Sequence, residues 1–179
     1  MKKLLILLMC ILGSLCASAQ DNNSTYLSNG YRGFGESGLR PLISEPNFSS
    51  VAITTIHGYQ SRWAFLGGGF SVQPFISIDD EEDCSFTETA VFLDSRIDFP
   101  NKISPIVDTR LGFTVGHYLG FYVAQAFGVR FLRFSLSVGY ENEWFTAFEL
   151  DGSSYDSKER ITMESIMLNF TVDWGARNK

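Results

Sequence analysis

Ile166-Met167-Leu168-Asn169-Phe170-Thr171-Val172-Asp173-Trp174 decides the fold. Every second residue, from Ile166 to Trp174, is large and apolar, and Met167, Asn169, Thr171 and Asp173 fall between them. Successive side chains of a β-strand point to opposite faces, so this period of two marks a strand with one apolar and one mostly polar face. A helix would need its apolar residues at intervals of three and four.

The same alternation recurs upstream. Phe134, Leu136, Val138 and Tyr140 alternate with Ser135, Ser137, Gly139 and Glu141. Val107, Thr109, Leu111, Phe113 and Val115 alternate with Asp108, Arg110, Gly112 and Thr114. Val91, Leu93, Ile97 and Phe99 oppose Phe92, Asp94, Arg96 and Asp98, and Phe127, Val129 and Phe131 oppose Ala126, Gly128 and Arg130. Three earlier segments carry weaker versions: Leu66 to Ile76, Val51 to Tyr59, and Tyr31 to Leu39 with Arg32, Phe34 and Glu36 on one side. The total is eight candidate strands, several near the ~9–11 residues of a tilted transmembrane strand.

Connections alternate in length. Gln60 to Trp63, Pro100 to Ser104 and Leu132-Arg133 are tight, whereas Arg40 to Ser50, Ser77 to Thr89 and Phe145 to Arg160 are long and polar. Outer-membrane barrels distribute short periplasmic turns and longer outer loops in this way. His117 to Gly120 is a short link where that scheme expects an outer loop.

The first residues read as a targeting segment. Lys2 and Lys3 precede the apolar run Leu4 to Leu12, and Ala17-Ser18-Ala19 has the small-x-small form of a cleavage site, so residues 1–19 are a secretory signal peptide cut before Gln20. Leu15 stands where a lipoprotein signal at Cys16 wants a small residue. Residues 20–29, with polar Asp21 to Ser28, are expected to form a flexible lead-in, and 30–179 one barrel domain. Loss of Lys2 and Lys3 takes the formal charge from −6 to −8, a balance that excludes phosphate-tracking nucleic-acid binding. Cys10 and Cys16 leave with the signal, so Cys84 has no partner for an intramolecular disulfide. No later apolar run approaches helical spanning length, which leaves a water-soluble fold or a closed barrel.

The polar faces separate these two readings. A water-facing sheet is commonly rich in Lys and Glu, but past the signal only Lys102, Lys158 and Lys179 remain, all in turns, loops or the tail. The polar faces instead hold small residues with Arg32, Glu36, Asp94, Arg96, Asp98, Asp108, Arg110, Arg130, Glu141 and Asp173 interspersed. Small residues and charges of both signs suit the interior of an eight-stranded barrel, which side chains just fill. On the outward register Tyr31, Tyr59, Phe99, Phe131, Phe134 and Trp174 all fall beside the tight turns, as one interfacial girdle does in membrane barrels, and Tyr140 and Trp144 lie toward the opposite rim. The fold expected is all-β: an eight-stranded antiparallel up-and-down transmembrane β-barrel. The soluble, lipocalin-like barrel is the alternative, with its apolar face turned inward.

Several short motifs carry a family resemblance. Gly30-Tyr31-Arg32-Gly33-Phe34, His57-Gly58-Tyr59-Gln60, Lys102-Ile103-Ser104-Pro105, Gly120-Phe121-Tyr122 and Gly128-Val129-Arg130-Phe131 together resemble the small outer membrane protein β-barrel domain family of Gram-negative bacteria. The resemblance covers nearly all of the chain after the signal. It implies an eight-stranded barrel of the OmpA or OmpX type, inserted by the barrel assembly machinery, with no catalytic residues. Its members commonly end on a terminal aromatic, whereas here Trp174 is followed by Gly175-Ala176-Arg177-Asn178-Lys179.

Chemistry-bearing residues are few. Only His57 and His117 could serve a nucleophile or acid: His57 falls on the outward register near the tight turns, where an interfacial role is expected, and His117, beside Tyr118 in the outer link, has no serine or acid partner apparent in sequence. The run Asp79-Asp80-Glu81-Glu82-Asp83 lacks the glycine and terminal glutamate of a calcium loop and reads as a solvated acidic loop, with Cys84 directly after it. There is no zinc spacing, phosphate loop or nucleotide fingerprint, so no catalytic, metal or cofactor residues are assigned. The expected role is structural or surface-interacting in the outer membrane. The expected partners are membrane lipids, lipopolysaccharide and the assembly machinery, with an undefined surface ligand, and the barrel is expected to be a monomer. A narrow channel for small solutes and a lipid-modifying enzyme are the other readings.

Overall fold

The structure is a computed structural model, which describes residues 27–44, 48–77, 86–99, 101–116, 119–146 and 160–177. The strands follow one another as β1 (Leu27–Pro41), β2 (Phe48–Gln60), β3 (Ala64–Ser77), β4 (Phe86–Asp98), β5 (Ile103–Val115), β6 (Leu119–Phe131), β7 (Phe134–Thr146) and β8 (Arg160–Arg177). Each pairs antiparallel with its sequence neighbours, and β1 pairs with β8, so the sheet closes into an eight-stranded up-and-down barrel. Closure leaves no edge strand and satisfies the backbone without water.

Alternation along each strand sets the two surfaces. In β8 Ile166, Leu168, Phe170 and Trp174 are exposed, while Met167, Asn169, Thr171 and Asp173 are buried. In β4 Leu93 is 66% exposed and the next residue, Asp94, 0%. The outside of the barrel is thus its apolar surface and the inside its charged one.

The strands run further than the sequence pattern indicates. They span 13–18 residues, beyond the ~9–11 needed to cross a bilayer. Arg40, placed by sequence in the first long connection, belongs to β1. Phe86 to Thr89 belong to β4, and Phe145 and Thr146 to β7. Outward residues at these ends mix polar Ser49, Thr87, Asn142 and Glu164 with apolar Leu39, Ile76 and Trp144, so the alternation weakens while backbone pairing continues. The first strand also begins inside the expected flexible lead-in, at Leu27, which pairs with Arg177. A register shift separates that pairing from the one at Arg32, and Gly30 and Gly175 absorb it at φ 147° and 101°, backbone angles that a side chain disfavours.

Three described turns hold one rim. Ser61 N–H donates to Ala64 O at 2.7 Å and Asn101 N–H to Phe99 O at 2.8 Å. In the two-residue β6–β7 turn Leu132 adopts φ 57° and its N–H donates to Lys102 O at 2.8 Å, tying this turn to the next one along the rim. The signal-peptide segment, the acidic run at 79–83, Cys84, His117 and the 147–159 connection lie outside the described residues.

Candidate functional site

The interior is the part of the molecule where chemistry concentrates. Its side chains come from every second residue of each strand, so their spacing along the barrel follows the strand repeat and their neighbours follow the register. The β4–β5 register sets Asp94 opposite Arg110 and Arg96 opposite Asp108, a charge-alternating square on adjacent strands. Arg96 Nη2 lies 3.0 Å from Asp108 and 3.5 Å from Asp94; Arg110 lies 2.7 Å from Asp108 and 3.3 Å from Asp94.

From this square the network crosses the lumen. Arg110 Nη1 and Nη2 donate to the two carboxylate oxygens of Glu36 on β1 at 2.8 and 2.7 Å. Thr171 donates to the same carboxylate at 3.1 Å. Toward the tight-turn rim, Arg32 bridges Asp98 at 2.8 Å and Asp173 at 2.6 Å and donates to Gln60 at 2.7 Å. Arg130 holds Asp98 at 2.9 Å and donates to the turn carbonyls of Phe99 and Asn101 at 2.7 Å each, so it anchors the β4–β5 turn from inside. Toward the other rim, Arg40 contacts Glu141 at 3.2 Å and donates to Asn169 Oδ1 at 2.5 Å.

All ten charged residues that the sequence places in the lumen lie buried there. Pairing and hydrogen bonding of this density is what a desolvated charge requires. An apolar layer fills the space around the network: Phe34, Ile56, Phe65, Phe92, Tyr122 and Met167 are all buried. Phe34 joins the two sets, with the guanidinium carbons of Arg32 and Arg96 at 4.6 and 4.1 Å from its ring centroid and Phe65 set edge-on at 4.9 Å.

Three further buried charges, Arg40, Glu88 and Glu143, were not among those read from sequence. Each continues an inward row: Arg40 follows Glu36 by four residues, Glu88 precedes Asp94 by six, and Glu143 follows Glu141 by two. Parity was the available signal: Arg40 follows outward Leu39 and Glu143 precedes outward Trp144, although Ser49, Thr87 and Asn142 interrupt the apolar rows. With Arg40, Glu88 and Glu143 the interior holds five arginines and eight carboxylates among the described residues.

The six girdle aromatics, Tyr31, Tyr59, Phe99, Phe131, Phe134 and Trp174, are exposed beside the tight-turn rim. His57 stands among them: Tyr31 Oη and His57 Nδ1 are 2.5 Å apart, Thr55 Oγ1 and His57 Nε2 2.9 Å, and the Trp174 ring sits edge-on at 5.9 Å. Both imidazole nitrogens are thereby occupied with neutral partners, which suits a histidine on an apolar wall. No carboxylate or cysteine contacts it among the described residues. Those residues also contain no group of three or more His, Cys, Asp or Glu arranged to hold a metal ion.

No model of a known protein family matches the chain, and no curated protein matches its sequence. Among solved structures the chain is similar to the crystal structure of neisserial surface protein A (NspA), with a TM-score of 0.56 at 10% identity over 83% of this chain and 96% of that one. At that identity the likeness is one of fold: a closed eight-stranded barrel.

Proposed function

We propose that the chain is an outer-membrane protein whose sealed barrel serves as an anchor, with a structural or surface-interaction role carried by the long connections at one rim. The observation that carries this reading is the inversion of polarity. Leu66, Leu93, Ile53 and Phe113 are each at least 60% exposed on the outer wall, and the charged residues are inside. Such a continuous apolar exterior far exceeds the few hundred Å² that a soluble monomer leaves in water, and it matches a lipid-facing band. The solved neighbour is described as a surface protein, which agrees in kind.

The other readings have less support. A soluble lipocalin-like barrel needs the reverse distribution, apolar within. A channel needs an open lumen, and here ion pairs and aromatic rings occupy it. A lipid-modifying enzyme would have to rest on His117, because His57 is engaged by Tyr31 and Thr55 on the outer wall. Membrane lipids, lipopolysaccharide and the assembly machinery are the partners this reading implies, with the barrel a monomer.

Fractionation of cells expressing the full chain, followed by planar-bilayer recording of the purified barrel, tests the reading. Outer-membrane recovery that requires detergent, together with silent bilayers, is the expected result. Stable unitary conductance would replace it with the channel, and a changed lipid A mass profile on expression would replace it with the enzyme.

A further inference from the structure

Charges outside the lumen are sorted by rim. Each of the three described tight turns carries one exposed base: Arg62 between β2 and β3, Lys102 between β4 and β5, and Arg133 between β6 and β7. No exposed carboxylate accompanies them among the described residues. The acids nearest this rim, Asp98 and Asp173, point inward and are held there by Arg32 and Arg130. The connections at the opposite rim have the reverse composition: Glu45, the run Asp79 to Asp83, Glu149, Asp151, Asp156 and Glu159 stand against Lys158. In a chain that is acidic as a whole, three unaccompanied bases at one end depart from the average.

The turns that bear these bases are bonded to their neighbours. Trp63 O accepts from Asp98 N–H at 2.9 Å, Lys102 O from Leu132 N–H at 2.8 Å, and Arg133 O from Asp173 N–H at 2.9 Å. Each turn is thereby tied through its backbone to the next hairpin, so the bases stand on a ledge already in place. Each base also has an exposed apolar residue beside it in the chain: Trp63 after Arg62, Ile103 after Lys102, Leu132 before Arg133. The aromatic girdle lies just above.

We propose that this rim binds the phosphates of anionic phospholipids in the leaflet it meets, an inference that rests on the outer-membrane reading above. A base paired with an exposed apolar side chain suits the boundary between headgroups and acyl chains. The cation meets the phosphate, and Trp63, Ile103 or Leu132 enters the acyl layer beside it. An acidic protein or the cell-wall polymer also offers anions, but neither gives those apolar neighbours anything to enter. The acidic connections repel the same headgroups, which makes the partner specific to one end of the barrel.

Brominated lipids quench tryptophan on contact, and the tryptophans divide by rim: Trp63 and Trp174 at the tight turns, Trp144 at the other end. The test is the full barrel carrying Trp144→Phe, in phosphatidylcholine vesicles holding brominated phosphatidylglycerol or brominated phosphatidylcholine as the minor lipid. Phosphatidylglycerol should be favoured about fivefold per contacting base at low salt, and the preference should fade at high salt. Arg62→Gln, Lys102→Gln and Arg133→Gln together should abolish it, whereas Arg62→Lys with Arg133→Lys should keep it. With Trp63→Phe and Trp174→Phe instead, so that Trp144 reports, no preference should appear. Equal quenching by the two lipids overturns the proposal, as does a preference that survives the triple substitution or shows equally at both rims. If quenching is equal and the triple substitution releases the barrel from sedimenting peptidoglycan, the bases serve the cell-wall polymer. Quenching by neither lipid would mean that the barrel is outside the bilayer, and the outer-membrane reading would fall as well.

Discussion

Arg110 on β5 grips Glu36 on β1 through two hydrogen bonds of 2.8 and 2.7 Å, spanning the lumen between strands on opposite sides of the barrel. Both groups are buried, and Arg110 also serves Asp108 and Asp94, so one guanidinium compensates three carboxylates. Its removal would leave Glu36 with only the longer 3.8 Å contact to Arg40, and Asp94 and Asp108 sharing Arg96 alone, in a low-dielectric interior.

Arg110→Met should therefore destabilise the barrel by about 3–5 kcal/mol, the usual cost of breaking a buried ionic network from one side. Urea unfolding in detergent micelles measures it. Replacing Glu36 by Met as well should recover part of the loss, because the most directly exposed orphan is gone. An unchanged urea midpoint for Arg110→Met would mean that water reaches this part of the lumen.

Gly33 lies directly opposite Trp174 in the β1–β8 ladder, and a Cβ there would overlap the indole nitrogen and adjacent ring carbons. Gly33→Ala should push the indole outward and cost about 1–3 kcal/mol, as overpacking does. The same substitution in a Trp174→Leu background should be milder. Tryptophan emission together with the unfolding midpoint reports both; equal costs in the two backgrounds would show that the indole does not lie over Gly33.

Leu168 faces outward and Thr171 inward. With Cys84 changed to Ser, a fluorophore on Leu168→Cys should be dimmed by lipid-borne quenchers, and Leu168→Arg should cost about 2–4 kcal/mol if the site lies near the bilayer midplane. Quenching by water-soluble agents alone, with extraction that needs no detergent, would sink the membrane reading.

Residues 1–19 carry the features of a cleaved signal peptide. Intact mass and N-terminal sequencing of protein from the envelope should begin at Gln20, in part cyclised to pyroglutamate. A retained leader or a lipid on Cys16 would refute the assignment.

The faces of the barrel were legible in sequence because the outer wall and the lumen impose opposite demands on alternate residues. Leu168 and Asn169, or Leu93 and Asp94, announce their sides by type alone. The strand ends were not legible: around Arg40, Glu88 and Glu143 the outward rows mix apolar Leu39 and Trp144 with polar Ser49, Thr87 and Asn142, so an inward charge resembles a loop charge. Nor were the partners across the lumen. Arg96 and Asp108 face each other on consecutive strands and can be guessed, but Glu36 and Arg110 are 74 residues apart and meet only because closure bends β1 and β5 toward one axis.

Arg32 and Asp173 join the first strand to the last across the closing seam. Slippage of β8 by one residue would turn its apolar outward side chains into the charged lumen, a mistake made costly by the transfer of polar Asn169 and Asp173 to the apolar outer face. Slippage by two keeps each side chain on its proper face, and the apolar wall would be blind to it. That slip nevertheless carries Asp173 about 7 Å along the strand from Arg32, and it lifts the Trp174 indole off Gly33. The buried charges thus act as a proofreading code for closure: oil and water choose between odd and even alignments, and the ion pairs choose which even alignment seals the barrel.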